Sequence, residues 1–221
     1  MAALRGDRYV KVPSPSKALK IQRTAIRTTV PQGQDREHMM RIVDALREQH
    51  PRVAAIAQLA RETGMRLREA ILADLPRLKQ EAEQLGRINI QDGTKGGRSG
   101  ASAPRWITVN DHIRYALNFA LGISPSGSRN LLTTEESYAQ FLQKTVRPAR
   151  EVLHEHSLKG LHELRAAYAC ERYEWITGHS APVNGGNCSR QARCLDQSAR
   201  LQISHELGHS RIDVVSAYIG G

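Results

Sequence analysis

The stretch ISHELGHSRIDVVSAYIGG, residues 203–221, admits two incompatible readings. His205-Glu206-Leu207-Gly208-His209 spells HExxH, and on a continuous helix His205 and His209 share one face as two zinc ligands, with Glu206 between them as general base. The same letters also read as Leu207-Gly208-His209 followed, nine residues on, by Tyr218, an imidazole and a phenol that could serve one site. Nine residues make two and a half helical turns, which on one straight helix set His209 and Tyr218 on opposite faces. The second reading therefore predicts a break between them. Ser210 with Asp213 three residues later forms a capping pattern for a new short helix over 214–219 that would return Tyr218 toward the histidine. The zinc reading needs a third protein ligand, usually downstream, and the twelve residues after His209 hold no His, Cys or Glu. Their one carboxylate, Asp213, serves better as a cap, which leaves Glu206 as an exposed helix residue and His205 as a surface histidine.

Composition narrows the choice. With 32 Lys and Arg against 22 Asp and Glu in 221 residues, the net charge is +10 and the pI about 9.9. Clustered cations of this kind favour a polyanionic partner, most often nucleic acid, because they displace counterions from a phosphate backbone. A hydrophobic content of 40% suffices for a packed core despite only 5% aromatic residues. Three cysteines, Cys170, Cys188 and Cys194, in a sequence without a signal peptide or an apolar run of membrane-spanning length are most simply placed in a reducing cytoplasm. Cys188 and Cys194 lie too far apart for a zinc-knuckle pair and have no second pair to join.

Upstream, residues 1–34 carry Arg5, Arg8, Lys11, Lys17, Lys20, Arg23 and Arg27 among prolines 13, 15 and 31, without a sustained apolar period, and read as an extended basic arm or linker. From 35 to 221 the pattern is that of one domain. Asp35 caps a helix carrying Met39, Ile42, Val43 and Leu46; Pro51 starts a second that ends near Gly64, and a short helix follows around 69–72. RINIQ (87–91) and RWITV (105–109) alternate as two strands joined by a glycine-rich loop. Everything after Asn110 is helical in period, interrupted at 122–130 and 178–187. The expected class is α+β: mainly α with a small antiparallel sheet.

Four separated stretches offer groups suited to a phosphodiester. Thr63-Gly64-Met65-Arg66 presents, after a glycine turn, a guanidinium whose planar fork can hold two phosphate oxygens. Lys95, at the hairpin tip in Gly93-Thr94-Lys95-Gly96-Gly97-Arg98, could enter a groove and protonate a leaving oxygen. In Leu161-His162-Glu163-Leu164-Arg165, His162 and Arg165 sit three apart on one helical face. The fourth is His209 with Tyr218. Each alone is a weak signal.

Taken in order, TGMR, TKGGR between two strands, HELR opening a helix and LGH with a tyrosine nine on resemble the tyrosine recombinase (phage integrase) family. RYEWITG, PVNGG and ARLQISHELGH are similar to a proteobacterial prophage-integrase subgroup. The resemblance covers roughly residues 35–221 and implies a catalytic-domain fold with Arg66, Lys95, His162, Arg165, His209 and the nucleophile Tyr218 as its catalytic set. It implies a DNA recombinase or integrase that cuts and rejoins double-stranded DNA at attachment sites through a 3′-phosphotyrosyl link. Bond energy is conserved, so neither a metal nor ATP nor another cofactor is required. Lys11, Lys17, Lys20, Arg23 and Arg27 of the arm and Arg98 of the hairpin are the candidate DNA contacts. The family's separate helical DNA-binding domain has no counterpart ahead of Asp35 beyond the arm, so an excised domain, a truncated gene and a short member all remain open. A monomer that assembles as a tetramer on DNA, in a bacterial cytoplasm and at the nucleoid when bound, completes the expectation. A binding-only relic and the zinc hydrolase are the alternatives.

Overall fold

In the computed structural model, residues 15–19, 24–94, 104–186, 193–209 and 211–221 are described. A short helix, α1 (Pro15–Leu19), comes first. The Asp35 carboxylate then accepts the backbone N–H groups of Glu37 and His38 at 2.9 and 3.2 Å, and α2 (Arg36–Gln49) begins where the capping residue predicts. Its stripe of Met39, Ile42, Val43 and Leu46 is buried. Pro51, whose missing N–H costs nothing at a first helical position, opens α3 (Pro51–Thr63). This helix is buried nearly all round, against α2 on one side, and stops at Gly64 in the left-handed conformation, φ 64°.

Next come α4 (Leu67–Leu72) and α5 (Leu75–Leu85), the latter capped by Asp74 and ended by Gly86. Two strands, β1 (Arg87–Asn89) and β2 (Trp106–Thr108), pair antiparallel with Ile88 opposite Ile107. Hydrogen bonds from Ile90 N–H to the Arg105 carbonyl (3.0 Å) and from Val109 N–H to the Gly86 carbonyl (2.9 Å) continue the pairing past both ends. The chain proceeds through α6 (Asp111–Ile123), α7 (Tyr138–Phe141) with a π turn over Leu142–Val146, α8 (Arg150–Glu155) and the long α9 (Leu161–Thr177). A 3-10 turn at Pro182–Asn184 precedes α10 (Arg193–Glu206), and a second at Ile212–Val215 leads into α11 (Ser216–Ile219). Among the described residues the architecture is mainly helical with one small antiparallel sheet, as the sequence implies. No described helix is long and apolar enough to cross a membrane.

Among the described residues the apolar interior forms two clusters that meet along α9. One, built on α2, α3, α5, the sheet and α6, reaches Leu164; the other starts at Ala166 and gathers Tyr168, Ile203, Leu207, Val215, Tyr218 and Ile219. Arg165 stands between them in sequence and is 1% exposed. Residues 24–34 bind the body of the protein. Arg27 N–H donates to the Ser216 carbonyl (2.9 Å), Arg61 Nε to the Gly33 carbonyl (2.8 Å), and Gln34 and Asn184 exchange hydrogen bonds at 3.1 and 2.7 Å. This segment is thereby fastened to the start of the Tyr218 helix.

Candidate active site

Gly64 organises the first wall. Its left-handed backbone turns the chain out of α3, and its carbonyl accepts both Arg165 Nη1 and, at 3.2 Å, Arg105 Nη2. A Cβ here would fall 2.6 Å from Tyr168 Cδ1 and 2.9 Å from Leu207 Cδ2, so glycine is required by space as well as by conformation. Two residues on, Arg66 is the N-cap of α4. Glu69, one turn into that helix and wholly buried, reaches back to Arg66 N–H (2.7 Å) and Arg66 Nη1 (2.6 Å). Burial pushes the Glu69 carboxyl up, but Arg105 and Arg66 outweigh it and hold it below the usual carboxylate range. Arg66 Nη2 is left facing His209 Nε2 at 3.4 Å.

Arg165 comes from the second turn of α9. Its Nη1 and Nη2 donate to the Gly64 and Leu207 carbonyls, Nε lies 3.3 Å from the Tyr218 hydroxyl, and Nη2 lies 3.4 Å from His209 Nε2. Burial, then the neighbouring Arg105, brings its pKa down to about 10, so it stays charged at neutral pH.

The break predicted between His209 and Tyr218 is present. The helix α10 ends at Glu206, Gly208 takes φ 65°, and His209 N–H folds back onto the Ser204 carbonyl (2.8 Å). The Ser204 hydroxyl donates to the carbonyls of His209 (3.2 Å) and Arg211 (3.0 Å), which fixes the turn. The chain then returns through the 3-10 turn to α11, where Tyr218 is 6% exposed with its hydroxyl 3.2 Å from His209 Nε2. Three donors, from Arg66, Arg165 and Tyr218, thus face one ring nitrogen. That geometry assigns His209 Nε2 as an unprotonated acceptor with the proton on Nδ1. Burial, reinforced by Arg165, Arg66 and Arg105, depresses this imidazole to about 4. His162 is also lowered, by burial and then by Arg165, and its ring stands 5.6 Å from that of Tyr218.

Arg66, Arg165, His209 and Tyr218 therefore converge within hydrogen-bond reach, with His162 against the tyrosine ring. Lys95, Arg98, Lys11, Lys20 and Arg23 lie outside the described residues, as do Ser210 and Cys188; Lys17 falls on α1, its side chain also outside the description. Arg27 is turned inward, to Glu163 at 2.5 Å. Cys170 is buried and Cys194 exposed, both as free thiols.

The HExxH stretch resolves differently from the expectation. His205 is exposed, but Glu206 is 4% exposed, not a surface residue. Its carboxylate takes a fork of hydrogen bonds from Arg172 (2.8–3.0 Å), one from Tyr168 (2.8 Å) and one from Gln202 (3.0 Å). Because α10 stops at Glu206, His205 and His209 do not share a helical face. Glu69 and Arg105 are partners of the site that the sequence pattern did not single out, and Glu206, read there as a zinc-hydrolase base or a surface residue, is a third. Only Glu69 carried a signal, its spacing of three from Arg66.

Beside the cluster opens a cleft of about 530 Å³ lined by Arg66, Arg150, His154, Lys159, His162 and Arg165. Two guanidiniums that can hold phosphate oxygens, a phenol that can act as nucleophile and a basic groove leading to them have the parts of a phosphoryl-transfer site that works through tyrosine.

The integrase family model matches residues 25–171, well over half of the chain, and the chain belongs to that family. The crystal structure of XerA recombinase is similar in fold, with a TM-score of 0.52 and 17% identity over 93% of this chain and 67% of that one. No curated protein matches the sequence. His209 and Tyr218 lie beyond the family match; the fold brings them to Arg66 and Arg165.

Proposed function

We propose that this protein is a site-specific DNA recombinase that cleaves and rejoins a strand through a covalent bond between Tyr218 and a 3′-phosphate. The observation that carries the reading is the Tyr218 hydroxyl, 3.2 Å from His209 Nε2 and 3.3 Å from Arg165 Nε. In the proposed reaction the Tyr218 oxygen attacks phosphorus, the P–O5′ bond breaks, and the 5′-hydroxyl leaves. Attack by another 5′-hydroxyl reverses the step on a new strand, so no external energy source enters. Arg66 and Arg165 neutralise charge on the non-bridging oxygens. Both direct a guanidinium nitrogen toward His209 Nε2, so a phosphate oxygen bound beside that ring draws on two donors held close together. With its proton shifted from Nδ1 to Nε2 once the phosphate takes the two guanidiniums, His209 donates a hydrogen bond to a non-bridging oxygen; His162 assists proton transfer from the nucleophile, and Lys95 protonates the leaving 5′-oxygen.

The duplex would run along the cleft past Arg150, His154 and Lys159, with Lys11, Lys17, Lys20 and Arg23 of the arm and Arg98 of the hairpin adding backbone contacts. A monomer that forms a tetramer on DNA in the bacterial cytoplasm completes the proposal. The test is relaxation of a supercoiled plasmid in EDTA by the wild type and by Tyr218→Phe. Metal-independent relaxation lost in the variant supports the proposal, and relaxation that persists in Tyr218→Phe sinks it.

A further inference from the structure

We infer that Arg105 is a positioning residue that locks the β-hairpin to the catalytic cluster and cancels the charge of Glu69, leaving Arg66 and Arg165 free to serve the phosphate. The inference rests on the recombinase reading above and deepens it.

Arg105 stands where the chain leaves the glycine-rich loop and enters β2. Its backbone belongs to the sheet: the N–H donates to Asn89 Oδ1 (2.8 Å), and the carbonyl accepts Ile90 N–H (3.0 Å). Its side chain leaves the sheet and runs beneath the site, 3% exposed. There Nη1 meets Glu69 Oε2 (2.6 Å), Nη2 the Gly64 carbonyl (3.2 Å) and Nε the Glu206 carbonyl (2.6 Å). Each acceptor is tied to a proposed catalytic group. Glu69 holds Arg66, the Gly64 carbonyl holds Arg165, and Glu206 precedes Leu207, whose carbonyl also holds Arg165. The Arg105 stem also supports the turn that presents His209, since a Cβ on Gly208 would lie 3.2 Å from Arg105 Cδ. One guanidinium thus joins the TGMR turn, α4, the end of α10 and the strand that follows Lys95.

The charge arithmetic gives the second half of the role. Glu69 is the buried carboxylate against which Arg66, Arg105 and Arg165 are set, at 2.6, 2.6 and 3.9 Å. With Arg105 matched to Glu69, two positive charges remain for an incoming phosphate; without it, Glu69 would offset Arg66. Lysine cannot reproduce this, because its donors all radiate from one nitrogen, whereas the Arg105 guanidinium sets three nitrogens of one planar fork against Glu69, Gly64 and Glu206.

The experiment compares wild type, Arg105→Lys and Leu78→Ala, a core variant on α5 away from the site, at a temperature well below each Tm. It reads duplex Kd and, at saturating duplex, the single-turnover rate of covalent adduct formation. Arg105→Lys is expected to slow adduct formation by about 100-fold, the order expected for a misplacement of about 1 Å, with Kd changed by less than about threefold. Leu78→Ala, destabilised by a comparable margin, should keep its rate within about threefold. Arg105→Gln, uncharged and able to hydrogen-bond Glu69, takes the place of lysine should that variant not fold, and is expected to lose at least as much rate. Rates equal to wild type in the folded Arg105 variants, or a loss no larger than that of Leu78→Ala, would overturn the positioning role alone. A wild type that forms no adduct at all would overturn the recombinase reading and this inference with it.

Discussion

Gly64→Ala isolates what the TGMR turn contributes. Two costs add. Left-handed backbone in a residue with a Cβ costs roughly 1–2 kcal/mol, and Gly64 sits at φ 64°. The new methyl must also fit where Tyr168 Cδ1 would be 2.6 Å away and Leu207 Cδ2 2.9 Å, an overpacking that costs about 1–3 kcal/mol. The sum, about 2–5 kcal/mol, corresponds to a Tm fall of roughly 4–20 °C for a chain of this size. Gly86→Ala supplies the control: its φ is 62°, but nothing lies within 4 Å of a Cβ there, so only the backbone cost applies. Calorimetry of the two variants should show the larger fall for Gly64→Ala. Activity should separate them further. Displacing Tyr168 or Leu207 moves the Gly64 and Leu207 carbonyls that hold Arg165, and adduct formation should drop by about 100-fold, while Gly86→Ala keeps it. Equal Tm losses and equal rates in the two variants would refute the proposed packing of the turn.

His209, depressed to about 4, should titrate near that pH by imidazole NMR rather than near 6.5. The sign follows from proton counts. Below about 6.5 the unfolded chain binds a proton that the folded state excludes, so His209 favours stability above that pH and loses it as pH falls toward 4; a midpoint near 6.5 would contradict the three-donor environment. Arg27→Ala removes the partly buried pair with Glu163 and should cost about 1.5–3 kcal/mol. Hydrogen exchange should then accelerate in Ser216–Ile219, since Arg27 N–H is bonded to the Ser216 carbonyl; unchanged protection would show that the segment does not hold the nucleophile helix. Glu206→Gln weakens the Arg172 fork and should lower Tm equally in EDTA and in zinc, whereas zinc-dependent rescue would reinstate the HExxH chemistry.

The elements legible in the sequence were those with local signals. Asp35, Pro51 and Gly64 mark helix ends through capping, a fixed φ and a left-handed turn, and the structure uses all three. Ile88 and Ile107 revealed the sheet by alternation. The helix Leu75–Leu85 was not anticipated, although Asp74, Pro76 and the spacing of Leu75, Leu78 and Ala82 carry its signature; its place between a short helix and the first strand obscured it. The end of α10 at Glu206 was legible only from the demand that His209 and Tyr218 meet.

Convergence of Arg66, Arg165, His209 and Tyr218 is what the family resemblance, carried by the order and spacing of their motifs, implies. The groups that enforce it could not. Arg105 looks like any strand residue, and Glu206 like a helix surface carboxylate, because their partners lie 36 and 101 residues away for Arg105 and 34 for Glu206. Buried ion pairs are long-range properties with no local period to betray them. Arg27 illustrates the converse: in a run of basic residues it reads as a DNA contact, yet its charge is matched by Glu163.

The most direct measurement of the central claim is peptide mapping of the covalent complex trapped on a nicked duplex, digested with nuclease and trypsin and read by mass spectrometry. The account predicts a nucleotide joined through its 3′-phosphate to Tyr218, within the C-terminal peptide 212–221 that begins after Arg211. A nucleotide on any other residue, or one joined through its 5′-phosphate, would contradict it.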